Sequence, residues 1–245
     1  MAAKRPGRVR LERVLILLLI PLLLAGTAYR LLRRKPETPP VLTAEVIEKE
    51  ESGYITYAVT LDDVHGIPVN HVFIPYDSSR RPGEIREIRF LIIHETDNRS
   101  PGADAEAHSR FLTGDTADIT SWHYTVDDHS IYHNLPDNEI AWNAGDNRSR
   151  DGGNMNGIGI EMCVNVSGDF DQTVRNTAWL CAELLQAYRL TPDDVYLHRD
   201  FMGKICPHRL ITENKVTWFM ELIQADYDEL QAAAAEAEAK AETEE

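Results

Sequence analysis

The run Phe90, Leu91, Ile92, Ile93, followed at once by His94, constrains this chain more than any other stretch. Side chains alternate between the two faces of a strand, so four apolar residues in a row leave no face for water. Such a strand belongs in the middle of a sheet covered on both sides by helices. The neighbouring patterns agree. In Gly157 to Val164 the residues Ile158, Ile160, Met162 and Val164 share one side and Gly159, Glu161 and Cys163 the other. Thr173 to Tyr188 and Ala103 to Leu112 carry apolar residues at helical spacing, Val195 to Leu197 is a short strand, and His123 to Asp127 with Ser130 to Asn134 reads as a hairpin. A second hairpin is expected from Ile47–Leu61 and Val69–Ile74, turning at Asp62 to Gly66. The pattern predicts a single α/β domain over 47–225 with a central mixed, mainly buried β-sheet flanked by helices.

Both ends of the chain differ from this body. Lys4, Arg5, Arg8, Arg10 and Arg13 precede the uncharged run Val14 to Tyr29, and Arg30, Arg33, Arg34 and Lys35 follow it. Extended by Leu31 and Leu32, the run comes near the roughly 20 residues that span a bilayer, so an N-terminal transmembrane helix at about 14–32 is expected. A cleaved signal peptide is the alternative, and a buried helix of a soluble protein a third reading. The anchored reading makes 1–35 a cytoplasmic basic stretch plus anchor and 36–46, with Pro36, Pro39 and Pro40, a stiff linker. It places the body outside a bacterial cell membrane as a single-pass protein; the alternative makes it secreted. At the far end, Val216, Phe219, Met220, Ile223, Tyr227 and Leu230 mark an amphipathic helix, and 226–245 becomes an alanine and glutamate tail expected to project or fray.

Charge removes one class of function. Nine of the 25 Lys and Arg lie in the first 35 residues with a single acid, leaving 16 bases against 39 acids, a formal −23 beyond residue 35. A body that acidic does not hold a phosphate backbone by bulk charge, so no nucleic-acid partner is expected. Three cysteines in a chain of this length do not make a disulfide scaffold. No Gly-rich phosphate loop follows a strand and no Gly-x-Ser-x-Gly elbow occurs, so the usual signatures of nucleotide-dependent and serine hydrolase chemistry are missing.

Three places offer chemistry. His94 ends a central strand, where α/β folds bind ligands, and reads as a metal ligand, a catalytic group or a structural histidine. His198 and Cys206 sit eight residues apart on a glycine-containing loop after another short strand. Imidazole nitrogen and thiolate both suit zinc, and two histidines with one cysteine leave a fourth position open for catalysis. Cys206 near Lys204 also reads as a nucleophile, or as a buried thiol. Glu161 is a solvated strand residue or, beside a metal, a base that takes a proton from attacking water and returns it to a departing nitrogen.

Six segments in order carry a resemblance: "RPG" at Arg81 to Gly83, "LIIHET" at Leu91 to Thr96, "SWHYTVDD" at Ser121 to Asp128, "IYHNLPDNEIAWNAGD" at Ile131 to Asp146, "IGIEMC" at Ile158 to Cys163, and "HRDFMGKICPH" at His198 to His208. Over about 70–211 the chain resembles the zinc-dependent N-acetylmuramoyl-L-alanine amidases, the branch related to phage lysozyme-type amidases and peptidoglycan recognition proteins, and specifically bacillus-type autolysins and prophage endolysins. The resemblance implies one Zn2+ per chain on His94, His198 and Cys206, with Glu161 as the catalytic acid that activates water and Lys204 stabilising the tetrahedral intermediate. It implies that Trp122, His123 and Tyr124 line the cleft, and that the partner is peptidoglycan, met by a monomer. A zinc-containing peptidoglycan-binding protein without turnover is the alternative. One departure is Asn143, where related sequences often carry histidine; it stays outside the expected metal site. Cys163 and Cys181 are expected as reduced thiols.

Overall fold

A computed structural model describes residues 58–115 and 117–244. Among these residues seven strands form one mixed sheet in the order β1-β2-β5-β4-β6-β3-β7. β3 (Phe90–Glu95) is an interior strand one in from the edge, not the middle strand the pattern suggested, paired in parallel with β6 (Gly157–Met162) on one side and the edge strand β7 (Val195–Leu197) on the other. Leu91, Ile92 and Ile93 have no exposed surface, as an apolar run in a covered strand requires. β4 (Tyr124–Val126) runs parallel to β6 and antiparallel to β5 (Ile131–His133), the expected hairpin about the Asp127 turn.

At the sheet edge, β1 (Asp63–Val64) and β2 (Ile67–His71) form a tight hairpin, and β2 continues the sheet in parallel with β5. His65 and Gly66 both take positive φ, +53° and +85°, the geometry a two-residue turn needs to match strand twist. The turn is where the sequence pattern puts it, but the ladder is short. Residues 58–62 are not strand, and most of the expected first arm, 47–57, lies outside the described residues.

Among the described residues five α-helices accompany the sheet: α1 (Ala105–Thr113), α2 (Gly153–Asn156), α3 (Phe170–Ala187), α4 (His208–Thr212) and α5 (Val216–Glu244). Asp104 and Asp169 cap α1 and α3 by accepting from Ala107 N and Gln172 N. Each such cap is worth about 1 kcal/mol. The buried stripe of α3, including Val174, Ala178, Cys181 and Leu185, packs on Ile158, Ile160 and Met162 of β6, and Phe219 and Ile223 of α5 close the same core. The other sheet face is tighter. A Cβ on Gly157 would come within 2.5 Å of the Ile92 side chain, so glycine lets that side chain lie across the strand. Past Leu230, α5 continues to Glu244 as one helix with mostly exposed residues, so the tail extends where fraying was the alternative.

The membrane expectation is corrected here. Among the described residues no helix is long and apolar enough to cross a membrane. The longest, α3 and α5, have 18 and 29 residues, interrupted by charges or built from alanine, whereas a span needs about 20 largely apolar ones. The helix expected at about 14–32 lies outside the described residues. The transmembrane helix, membrane attachment and single-pass placement thus have no helix among the described residues to rest on and are withdrawn.

Candidate metal centre

Because β3, β6 and β7 run in parallel, their C-terminal ends meet at one edge of the sheet, where such folds place their ligands. β3 delivers His94 there. β6 delivers Glu161, the direct register partner of His94. β7 ends at Leu197, and His198 opens a 3-10 turn, His198–Asp200, held by Leu197 N donating to Asp200 Oδ2 at 2.8 Å. The loop then turns back on itself, with Arg199 N donating to the Cys206 carbonyl at 3.1 Å. That closure converts an eight-residue separation into contact.

His94, His198 and Cys206 each place one ligand atom within 4.8 Å of the other two. The two rings lie 4.5 Å apart, centre to centre. All three residues are buried. His94 Nε2, His198 Nδ1 and Glu161 Oε2 are each shielded from solvent with no hydrogen-bond partner. A buried polar atom left unpaired costs about 1–3 kcal/mol, so the two imidazole nitrogens of the cluster call for an occupant, and the Glu161 oxygen on the adjoining strand for a partner. Two nitrogens and a sulfur are a donor set that fits zinc. The residues fit the group.

Electrostatics agree in part. Burial, then the proximity of the other imidazole, holds His94 well below the usual histidine range. Burial, then Lys204, lowers His198. Both therefore sit neutral, the form that ligates. Burial pushes the Cys206 thiol up to about 12, so binding a cation must expel its proton. Burial likewise pushes Glu161 up to about 8, with the Lys204 charge pulling it down and Glu95 pushing it up. Lys204 is exposed on the loop, and its charge reaches His94, His198, Glu161 and Cys206 alike.

Trp122, His123 and Tyr124 are buried behind the ligand cluster, His123 near enough for its charge to act on His94. His123 and Tyr124 have no exposed surface and Trp122 is 6% exposed. His123 stitches strands together: its Nδ1 accepts from Gly159 N at 3.0 Å and its Nε2 faces the Glu139 carbonyl at 2.9 Å. Tyr124 donates to the buried Asp137 at 3.1 Å, and Trp122 Nε1 donates to Thr125 Oγ1 at 2.7 Å.

Of two further residues near the site, Asn143 reads in the sequence only as a departure outside it, and Glu95 is not singled out at all. Asn143 lies against His94 and over Gly159, where a Cβ would come within 2.6 Å of its amide. Asn154 Oδ1 fixes that segment by accepting from Asn143 N and Ala144 N, both at 2.8 Å. Glu95, beside His94 in sequence, is buried under the Cys206 loop. An acid closing an apolar strand was the signal available. Among the described residues a second group, Asp127, Asp128 and His129, also clusters. Its carboxylates are already taken by Ala105 N, His129 N, Ser130 N and Asp169 N, as in a structural turn. Cys163 and Cys181 are free and buried.

A parallel-centred α/β sheet ending in a His, His, Cys cluster, with a glutamate on the adjoining strand, is an arrangement that could hold a metal ion. The family model for N-acetylmuramoyl-L-alanine amidases matches residues 84–209, and the chain belongs to that family. It is 42% identical over 140 residues to the N-acetylmuramoyl-L-alanine amidase XlyA of Bacillus subtilis (strain 168), covering 57% of this chain and 46% of that protein. It is 37% identical over 145 residues to the amidase CwlH of the same organism, covering 59% and 57%. The chain thus spans about half the length of these relatives. The catalytic domain of XlyA superposes with a TM-score of 0.61 at 38% identity, covering 64% of this chain and 99% of that domain.

Proposed function

We propose that this chain hydrolyses the amide bond between N-acetylmuramoyl and L-alanine in peptidoglycan, using zinc held by His94, His198 and Cys206. The observation that carries the reading is Glu161: an unpartnered carboxylate oxygen on the strand directly beside a ligand histidine. A bound zinc would supply a Lewis acid that polarises a carbonyl and makes water a stronger nucleophile at neutral pH. Glu161 takes the proton of the attacking water at its carboxylate and returns it to the leaving L-alanine nitrogen. Its raised affinity for a proton suits the second half of that task. Lys204, on the open side of the site, offsets the negative charge that develops on the carbonyl oxygen. His123 and Tyr124 serve from behind, tying this stretch to Gly159 of β6 and to Asp137, while Trp122 packs beside Phe111.

A protein that holds zinc and binds the wall without cutting it would need the same three ligands. The buried, unpaired Glu161 oxygen is what favours turnover over that second reading. Purified walls incubated with the zinc-loaded protein should gain free amino termini on L-alanine. Binding to walls with no new termini would instead support the non-catalytic reading.

A further inference from the structure

We propose that Glu95 is the positioning residue of this centre, the brace that sets Cys206 at its distance from His94. The proposal rests on reading His94, His198 and Cys206 as the ligand set. Glu95 is the last residue of β3, so its backbone is continuous with that of His94. Its main-chain N–H faces the Cys206 thiol. Its side chain reaches past the loop, where Oε2 accepts from Arg209 N, three residues beyond Cys206, at 2.7 Å. One residue therefore holds the ligand strand at one end and the chain on both sides of Pro207 at the other. Only 6% of Glu95 is exposed, so the bond forms away from water and its geometry is enforced. Cys206 itself has little else to fix it from that side. Its carbonyl is held by Arg199 N, which ties the loop to His198 and leaves the distance to His94 unset. Ligands are oriented by the groups behind them, and losing such a group typically costs about 10- to 100-fold in metal affinity.

The test is zinc affinity, measured by competition with a chromophoric chelator, together with mass-spectrometric mapping of Cys206 alkylation in the metal-free protein. E95A should weaken zinc binding by about 10- to 100-fold and speed Cys206 alkylation several-fold. E95D keeps the charge but falls one methylene short of Arg209 N, so it should behave as E95A does. E95Q keeps an acceptor oxygen at full reach and should stay within about threefold of the wild type. D137N, in a separate buried network, should lower thermal stability without changing zinc affinity of the folded protein, so general destabilisation does not imitate the effect. If E95A fails to fold, the contrast between E95D and E95Q carries the test. Wild-type affinity in E95A or E95D, or equal loss in E95Q and E95D, overturns the proposal. A wild-type protein that binds no zinc overturns the ligand reading first, and is told apart because no variant is needed to see it.

Discussion

His94 and Glu161 are direct partners across the parallel β3–β6 ladder, so the candidate metal ligand and the proposed proton acceptor are placed side by side by strand register alone. Slipping either strand by one residue would turn one of them to the opposite face. The ladder continues through Ile93 and Ile160, both fully buried, which pins the register with core packing.

Metal content follows first from the ligand cluster. Protein purified without chelator should carry about one zinc per chain by elemental analysis, the number a single three-residue site holds. H94A should lose it. Full stoichiometry and activity in H94A would remove His94 from the centre.

Glu161 is expected to matter for turnover and not for assembly. E161Q is nearly isosteric, so fold and zinc content should persist while release of L-alanine termini falls by roughly 10²- to 10⁴-fold. Near-wild-type turnover with the metal in place would return Glu161 to an ordinary strand residue.

Gly159 leaves room for a side chain only if Asn143 shifts. An added Cβ would lie 2.6 Å from Asn143 Nδ2, and that amide rests against His94. G159A should cost about 1–3 kcal/mol in denaturant unfolding and weaken zinc binding as well. A loss of stability with unchanged metal affinity would separate the packing at Gly159 from the site.

His123 predicts how stability follows pH. Burial, then the neighbouring Arg86, pushes it down to about 3 from an ordinary 6.5. The folded state therefore binds fewer protons here than the unfolded chain between those values, and stability rises with pH across that window. Its contribution is complete above about 6.5 and is lost as pH falls toward 3, on the order of a few kcal/mol. In urea unfolding at a series of pH values, H123N should show a shallower decline between pH 6.5 and 4 than the wild type. Parallel curves would mean that other groups set the acid sensitivity.

The sequence by itself determined the class of fold and the candidates for chemistry, because both depend on local pattern. Four apolar residues at 90–93 can lie only in a covered strand, and His94, His198, Cys206 and Glu161 stand out by residue type at strand ends or on an alternating face. The tertiary structure decided what lies between those points. Strand order brings Glu161 beside His94 across 67 residues of sequence, and the Arg199–Cys206 bond folds an open loop into a ligand pair. It also decided that Trp122, His123 and Tyr124 lie inside, since whether an aromatic cluster faces a cleft or a core depends on which strands flank it. The place of Glu95, and the contact of Asn143 with His94, were illegible for the same reason. Their significance is a matter of contacts with residues 114 and 49 positions away, and no periodicity of the chain encodes a partner at that distance.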